Sequence, residues 1–205
     1  MAEKYDLVIR NGRIATAEGT FEGDIAVSGG RIAAVGLGLG AGRREIDATG
    51  RVVTPGGIDP HAHVEQMSGM GLMNADTWES ASRAAAMGGT TSIIAFAAQA
   101  RGQSVTEAVT DYAARARRGA MVDHAFHLLV TDPGVPGFAE DLARQVAEGH
   151  RSIKVFTTYA IRLDDRQVIE VMAVARKAGA LVCVHAENDG LIGWTKQALL
   201  DAGLI

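Results

Sequence analysis

The pattern of apolar and polar positions changes at Pro55. From Tyr5 to Thr54 the apolar residues come in short runs that are separated by turn residues. Two dipeptides in this stretch, Asn11-Gly12 and Gly29-Gly30, are typical of tight β-hairpins, so we expect a hairpin at each. The pattern predicts a small β-sandwich portion over residues 1–54.

After Pro55, short β-rich apolar runs alternate with stretches of helical periodicity. This alternation is typical of parallel strands joined by helical crossovers. We predict an α/β fold in which residues 55–205 form the first five βα units of an incomplete (β/α)8 TIM-like barrel. An open doubly wound sheet is less favoured, because the candidate chemistry recurs at several strand ends. The predicted strands cover 58–61, 90–96, 122–130, 152–156 and 181–185, and the helices cover about 77–87, 105–118, 138–148, 166–177 and 191–201.

Composition and charge exclude several classes of function. The 205 residues carry a net charge of −4 without a basic cluster, which disfavours nucleic-acid binding. No window is apolar for long enough to span a bilayer, and the N-terminus lacks the apolar stretch of a signal peptide. The single cysteine, Cys183, lies in an apolar run and is expected to fill the core. We therefore expect a cytoplasmic protein without membrane or nucleic-acid partners.

The candidate chemistry lies at the predicted strand ends. His61 and His63 are one residue apart, so in a strand their side chains point the same way. Lys154 lies inside an apolar strand, and His185 ends the next one. In a (β/α)8 barrel the carboxyl ends of all strands open into one mouth, which predicts a metal site there.

Lys154 is the least usual of these four residues. Burial disfavours a charged amine, and a neutral amine can combine with CO₂ to form a carbamate. The two oxygens of a carbamate can bridge two cations. Alternatively, Lys154 extends to solvent from an edge strand, and His185 is a hydrogen-bonded core histidine. The remaining histidines, His124, His127 and His150, are predicted to be structural or exposed.

Four segments resemble the dihydropyrimidinase/D-hydantoinase group of the amidohydrolase superfamily. They are Pro55–His63, Gly88–Ser92, Ser152–Phe156 and Val184–Asn188. The resemblance implies a metal-dependent hydrolase that opens a small cyclic amide, such as a hydantoin or a dihydropyrimidine, at a C–N bond other than a peptide bond. It also implies a homotetramer for the full-length form.

The resemblance further implies a role for each candidate residue. His61 and His63 would bind the more buried of two divalent cations, zinc or alternatively manganese. Lys154, carboxylated, would bridge both cations, and His185 would bind the second. Tyr159 would donate a hydrogen bond to the substrate oxyanion.

The chain also departs from the resemblance. A further metal-binding histidine and an aspartate that transfers a proton belong to later barrel strands of the family. We therefore expect this segment to be an N-terminal portion that is inactive by itself. In dihydroorotases an arginine at the position of Glu65 receives the substrate carboxylate, so a glutamate is expected to repel such substrates.

Two further expectations concern the substrate and the alternatives. Three methionines after His63 are expected to form an adaptable apolar wall for the substrate: Met67, Met70 and Met73. An allantoinase-like amidohydrolase is one alternative function. A non-catalytic scaffold of the dihydropyrimidinase-related kind is another, although such scaffolds typically lose the metal ligands that this segment retains.

Overall fold

Residues 4–68 and 71–205 are described by a computed structural model, in which the chain divides into two units, Met1–Gly56 and Gly57–Ile205. The first unit is a five-stranded sheet in the order β3-β2-β1-β4, with β5 pairing parallel to β1. Its strands are β1 (Tyr5–Thr16), β2 (Gly19–Ser28), β3 (Arg31–Gly36), β4 (Gly42–Asp47) and β5 (Val52–Val53).

The hairpin predicted at Asn11-Gly12 is wrong. β1 runs straight through both residues, and the pairing with β2 shifts register between Ile9 and Gly12, which marks a β-bulge. Asn11 takes a positive φ of 57°, and its backbone N–H donates to Asp24 Oδ1 at 2.9 Å. The bulge lets β1 pair with β4 before it and with β5 after it.

The hairpin predicted at Gly29-Gly30 is confirmed. The two glycines connect the antiparallel strands β2 and β3, and both have positive φ values, of 58° and 75°. Two-residue turns of the kind that matches strand twist require positive φ at both positions, which glycine adopts without steric cost.

The second unit consists of alternating strands and helices, as predicted. The predicted bounds differ from the observed ones by at most two residues. The strands are β6 (Gly57–Ala62), β7 (Thr90–Ala98), β8 (Asp123–Leu129), β9 (Ser152–Phe156) and β10 (Leu181–His185). The helices are α1 (Trp78–Met87), α2 (Val105–Gly119), α3 (Phe138–Ala147), α4 (Asp165–Ala178) and α5 (Asp189–Asp201).

The five strands of the second unit form one parallel sheet in the order β10-β9-β8-β7-β6. Each strand therefore lies beside the strand that precedes it in the chain. A doubly wound sheet requires a reversal of strand order at a switch point, and this sheet has none among its described strands. All carboxyl ends lie at the same edge of the sheet.

Local sequence signals fix the helix starts. Thr77, Ser104 and Asp164 each accept a hydrogen bond from the backbone N–H three residues later. In return, the side chain of that later residue accepts from the backbone of the first, which completes a capping box and satisfies two exposed donors. α4 ends at Gly179, whose left-handed conformation is typical of a helix end.

The core of the second unit lies between the middle strands and the first four helices. Its most deeply buried side chains include Trp78, Leu128, Leu142 and Ile153. By contrast, α5 has no buried residue, and most of β6 is exposed. Cys183 is a free, half-buried thiol. Among the described residues, no helix is both long and apolar enough to cross a bilayer.

Candidate metal centre

The four predicted ligands come from three strands of the parallel sheet. His61 lies near the end of β6 and His63 just after it, while Lys154 is in the middle of β9 and His185 ends β10. Because the strands are parallel, these positions approach the same edge of the sheet.

His61 and His63 are neighbours on one aromatic support. Their ring centroids are 5.5 Å apart, and each ring packs on Phe96 of β7, at 4.8 Å and 4.7 Å. Partial burial, followed by the nearby charges of His63 and Lys154, lowers the pKa of His61 below its ordinary value. A lowered pKa favours the neutral imidazole, which is the form that binds a metal ion.

Lys154 is buried, with only 8% of its surface exposed, and β9 lies between β8 and β10. The alternative of an edge-strand lysine that extends to solvent therefore does not fit the structure. Within residues 4–68 and 71–205, no carboxylate pairs with its Nζ, which lies 4.9 Å from the ring centre of Phe156.

His185 has its own set of contacts on the other side of Lys154. Its ring stacks on Phe156 at 5.1 Å and lies 5.4 Å from the ring of Tyr159. Its Nε2 is 2.5 Å from Glu187 Oε2. Tyr159 is half exposed and has a positive φ of 69°, which is rare for a large side chain.

The imidazoles do not form a single group. No three histidine, cysteine or carboxylate side chains in the described part of the chain are close enough to hold one ion. His61 and His63 form one pair of donors, and His185 stands apart from them. Lys154 is linked to both sides, through its electrostatic interaction with His61 and through the Phe156 ring to His185. The described residues therefore hold two separate sets of imidazoles, and the unpaired amine of Lys154 is linked to both.

A cavity of about 760 Å³ opens beside these residues. Its lining includes His63, Gln66, Met67, Phe156 and Tyr159, and most of its surface is apolar. The volume suits a small-molecule ligand.

The methionines differ in their relation to this cavity. Met67 lines it, whereas Met73 is not among its lining residues and instead forms a backbone bridge with Met67. Met70 lies outside the described residues. The expected methionine wall is thus supported for Met67 only.

Glu65 does not face the cavity as expected. Its Oε2 accepts from the backbone N–H of Trp78 at 3.2 Å, and its Oε1 lies 3.8 Å from Arg118. A carboxylate at a helix N-terminus is electrostatically favourable, and that contact explains its position. The predicted repulsion of a substrate carboxylate therefore has no basis in this side chain.

His127 is closer to the centre than the sequence indicated. Its Nε2 is 2.8 Å from the carbonyl oxygen of Pro60, and its Nδ1 is 2.5 Å from Ser152 Oγ. Both ring nitrogens are thus engaged, so His127 connects the strands that carry His61 and Lys154. No local signal in the sequence distinguishes it, since its partners lie 67 and 25 residues away.

The other two histidines have structural surroundings. His124 is exposed and contacts the ring of Trp78 at 5.3 Å. His150 is half-buried and stacks near Phe126, and burial lowers its pKa.

Comparison with known proteins finds amidohydrolases, both by sequence and by structure. The sequence pattern of the amidohydrolase family matches residues 44–133. The D-hydantoinases of Ralstonia pickettii and Rhizobium radiobacter are 39% and 42% identical to the chain over 200 residues, or 97% of it. A solved D-hydantoinase structure superimposes with a TM-score of 0.92 at 39% identity, over 97% of this chain and 44% of that one. The dihydropyrimidinase from Brevibacillus agri NCHU1002 gives 0.90 at 37% identity, over 96% of this chain and 43% of that one.

The matched region is the N-terminal portion of these proteins. The chain spans 43% of the length of the two D-hydantoinases named above.

Proposed function

We propose that this chain belongs to the dihydropyrimidinase/D-hydantoinase group of the amidohydrolases and that it supplies the metal-binding part of a cyclic-amide hydrolase. The substrate class is a hydantoin or dihydropyrimidine ring, opened at a C–N bond. The observation that carries the proposal is the buried, unpaired Lys154 with imidazoles on both sides.

The proposal includes the architecture of the whole protein. The second unit represents the first five βα units of a (β/α)8 barrel, over residues 55–205. Its strands follow one another around the sheet in chain order, which supports a barrel. Residues 1–54, whose described strands run from Tyr5 to Val53, represent part of a small β-sandwich.

Each candidate ligand has a role in this proposal. His61 and His63 donate ring nitrogens to one site, His185 donates to a second, and Lys154 serves both. When bound, two divalent cations, zinc or alternatively manganese, supply Lewis acidity and a water activated near neutral pH.

Lys154 serves both sites as a carbamate. Its neutral amine forms a new N–C bond to carbon dioxide and releases one proton, which leaves an anion with two oxygens. Burial of Lys154 without a carboxylate partner supports this modification, because the anionic group then meets cations instead of remaining an uncompensated charge.

Tyr159 acts on the substrate in this proposal. Its phenolic O–H donates to the oxygen that becomes negative when the ring carbonyl is attacked. Its place on the lining of the cavity that also includes His63 supports the role. The strained backbone at Tyr159 is typical of functional positions.

A cellular location and an oligomeric state are also proposed. We place it in the cytoplasm, in agreement with a single unpaired cysteine, and as a homotetramer in its full-length form.

The test is metal content and turnover of the protein expressed from its own gene. We expect about two zinc or manganese ions per chain and ring opening of hydantoin and dihydrouracil. Preference for allantoin would favour the allantoinase-like alternative. A protein that binds no metal and opens no ring would be a scaffold, contrary to the proposal.

A further inference from the structure

Gln66 stands between His63 and the neighbouring strand. Its Oε1 is 2.7 Å from His63 Nδ1, and its Nε2 donates to the carbonyl oxygen of Phe96 at 3.3 Å. One side chain thus connects the ring of a candidate ligand to the backbone of β7.

These two contacts determine which nitrogen of His63 carries the proton. The Phe96 carbonyl can only accept, so the NH₂ end of the Gln66 amide must face it. The amide oxygen then faces His63 and can only accept, so Nδ1 must be the donor. In the neutral ring the lone pair therefore lies on Nε2.

The orientation of the His63 ring is restricted at the same time. The ring stacks on Phe96 with an interplanar angle of 15° and a centroid distance of 4.7 Å. Stacking fixes the plane of the ring. The hydrogen bond from Nδ1 to Gln66 then selects one of the two ring orientations that differ by a half-turn. Together they leave Nε2 as the nitrogen available for a ligand.

Gln66 is itself held by the loop after β6. Its backbone N–H donates to Asn74 Oδ1 at 2.6 Å, and its carbonyl accepts from the Asn74 backbone N–H at 3.1 Å. The Asn74 side-chain amide also donates to the carbonyl oxygen of His63. The two ends of the loop are therefore tied together around His63, which keeps the Gln66 amide in reach of the ring.

We infer that Gln66 is a positioning residue that holds His63 in the Nδ1–H form, with Nε2 directed to a cation. Metal-binding histidines generally donate their second ring nitrogen to an acceptor, and loss of that acceptor typically weakens metal binding 10–100-fold. The inference rests on the proposed function, because it assumes that His63 is a metal ligand. A neutral amide fixes the proton without adding a charge beside the site.

The first experiment measures the His63 tautomer by ¹⁵N NMR in the protein expressed from its own gene, after metal removal and at a pH where the ring is neutral. We expect a protonated Nδ1 and a bare Nε2 in the wild type. In Gln66→Met, which keeps the volume but removes the acceptor, we expect the Nε2–H form to predominate. A wild-type His63 in the Nε2–H form would overturn the inference, whether or not the variant folds.

The second experiment measures zinc affinity by competition with a chromophoric chelator. We expect Gln66→Met to bind zinc about 10–100-fold more weakly, and Gln66→Glu, which restores an acceptor, to stay within a few-fold of the wild type. Gln197→Met is the matched control, because Gln197 is exposed on α5 and its side-chain amide donates to Asp201 of the same helix.

The outcomes separate the two claims. Zinc binding that is equal in the wild type and Gln66→Met would overturn this inference and leave the proposed function intact. Absence of zinc binding by the wild type would overturn both.

Discussion

The inner strands and the outermost strands of the parallel sheet hold their candidate ligands in different ways. Lys154 sits on β9, where packed neighbours such as Ile153 and Val155 are fully buried. His61 and His185 sit on β6 and β10, which are largely exposed or half-buried. On the edge strands, each ring packs on one aromatic neighbour, and His185 has a polar contact with Glu187 in addition.

This difference in burial between the strands indicates how precisely each candidate ligand can be held. A close-packed interior leaves a side chain few alternative positions. A residue on an exposed strand depends instead on hydrogen bonds to its own loop, each of which contributes little and exchanges with water. Substitutions in the two regions should therefore differ in size and in what they disturb.

Removal of Lys154 should have the largest effect. In the full-length protein, Lys154→Ala is expected to lose the pair of bound cations and to reduce kcat/KM by roughly 10³-fold or more, about 4 kcal/mol, because in the proposal this position serves both sites. Elemental analysis of the purified protein counts the metal. Short carboxylic acids should restore part of the activity, and the exposed Lys177→Ala serves as the control. An unchanged metal count in Lys154→Ala would contradict the bridging role.

Truncation of a buried side chain on α3 should lower the free energy of unfolding more than truncation of an exposed side chain on α5. Leu142→Ala, on α3 and fully buried, is expected to destabilise the 205-residue chain by about 3 kcal/mol, since it removes packed methyl groups and leaves a cavity. Leu191→Ala, on α5 and 62% exposed, should cost less than about 0.5 kcal/mol. Urea unfolding measures both. Equal losses would show that α5 is packed as firmly as the centre.

Loss of the Tyr159 hydroxyl should affect the chemical step alone. In the full-length protein, Tyr159→Phe is expected to reduce kcat by about 10²-fold, or about 2.7 kcal/mol, with little change in KM, because the proposed hydrogen bond forms to a charge that develops in the transition state. Steady-state kinetics on hydantoin measure the effect. Tyr5→Phe, in the first unit, is the matched control and should leave kcat unchanged. A rise in KM at constant kcat would assign Tyr159 to substrate binding.

The contact of Glu187 with His185 should have the smallest effect. Glu187→Ala is expected to weaken zinc binding by about tenfold, because His185 loses the acceptor that orients its ring. Chelator competition measures the affinity, and Glu187→Gln, which retains an acceptor, should lie close to the wild type. If both variants bind zinc as the wild type does, packing against Phe156 alone holds the ring.

The sequence predicted the elements of the second unit well, because their signals are local. Capping residues such as Ser104 and Asp164 act on backbone groups three residues away. The apolar runs of the strands are bounded by turn residues. Parallel topology then explains why His61 and His185 lie at the carboxyl ends of their strands on the same side of the sheet, with Lys154 on a strand between them.

The remaining features depend on partners far away in the sequence. Asn11-Gly12 matches a hairpin signal, yet Asp24 and the two parallel partners of β1 convert it into a bulge. Glu65 is drawn to Trp78 and Arg118 rather than to the cavity. These contacts form only once the elements are packed, so periodicity and motif spacing carry no information about them.

The backbone at Tyr159 has a consequence for protein engineering. A positive φ at a non-glycine residue costs of the order of 1–3 kcal/mol. A selection for thermal stability alone would therefore favour Tyr159→Gly, which relaxes the backbone and removes the phenol. Stabilised variants that emerge from such a selection should be screened for turnover as well, since the proposed role of Tyr159 needs the phenol that this substitution removes.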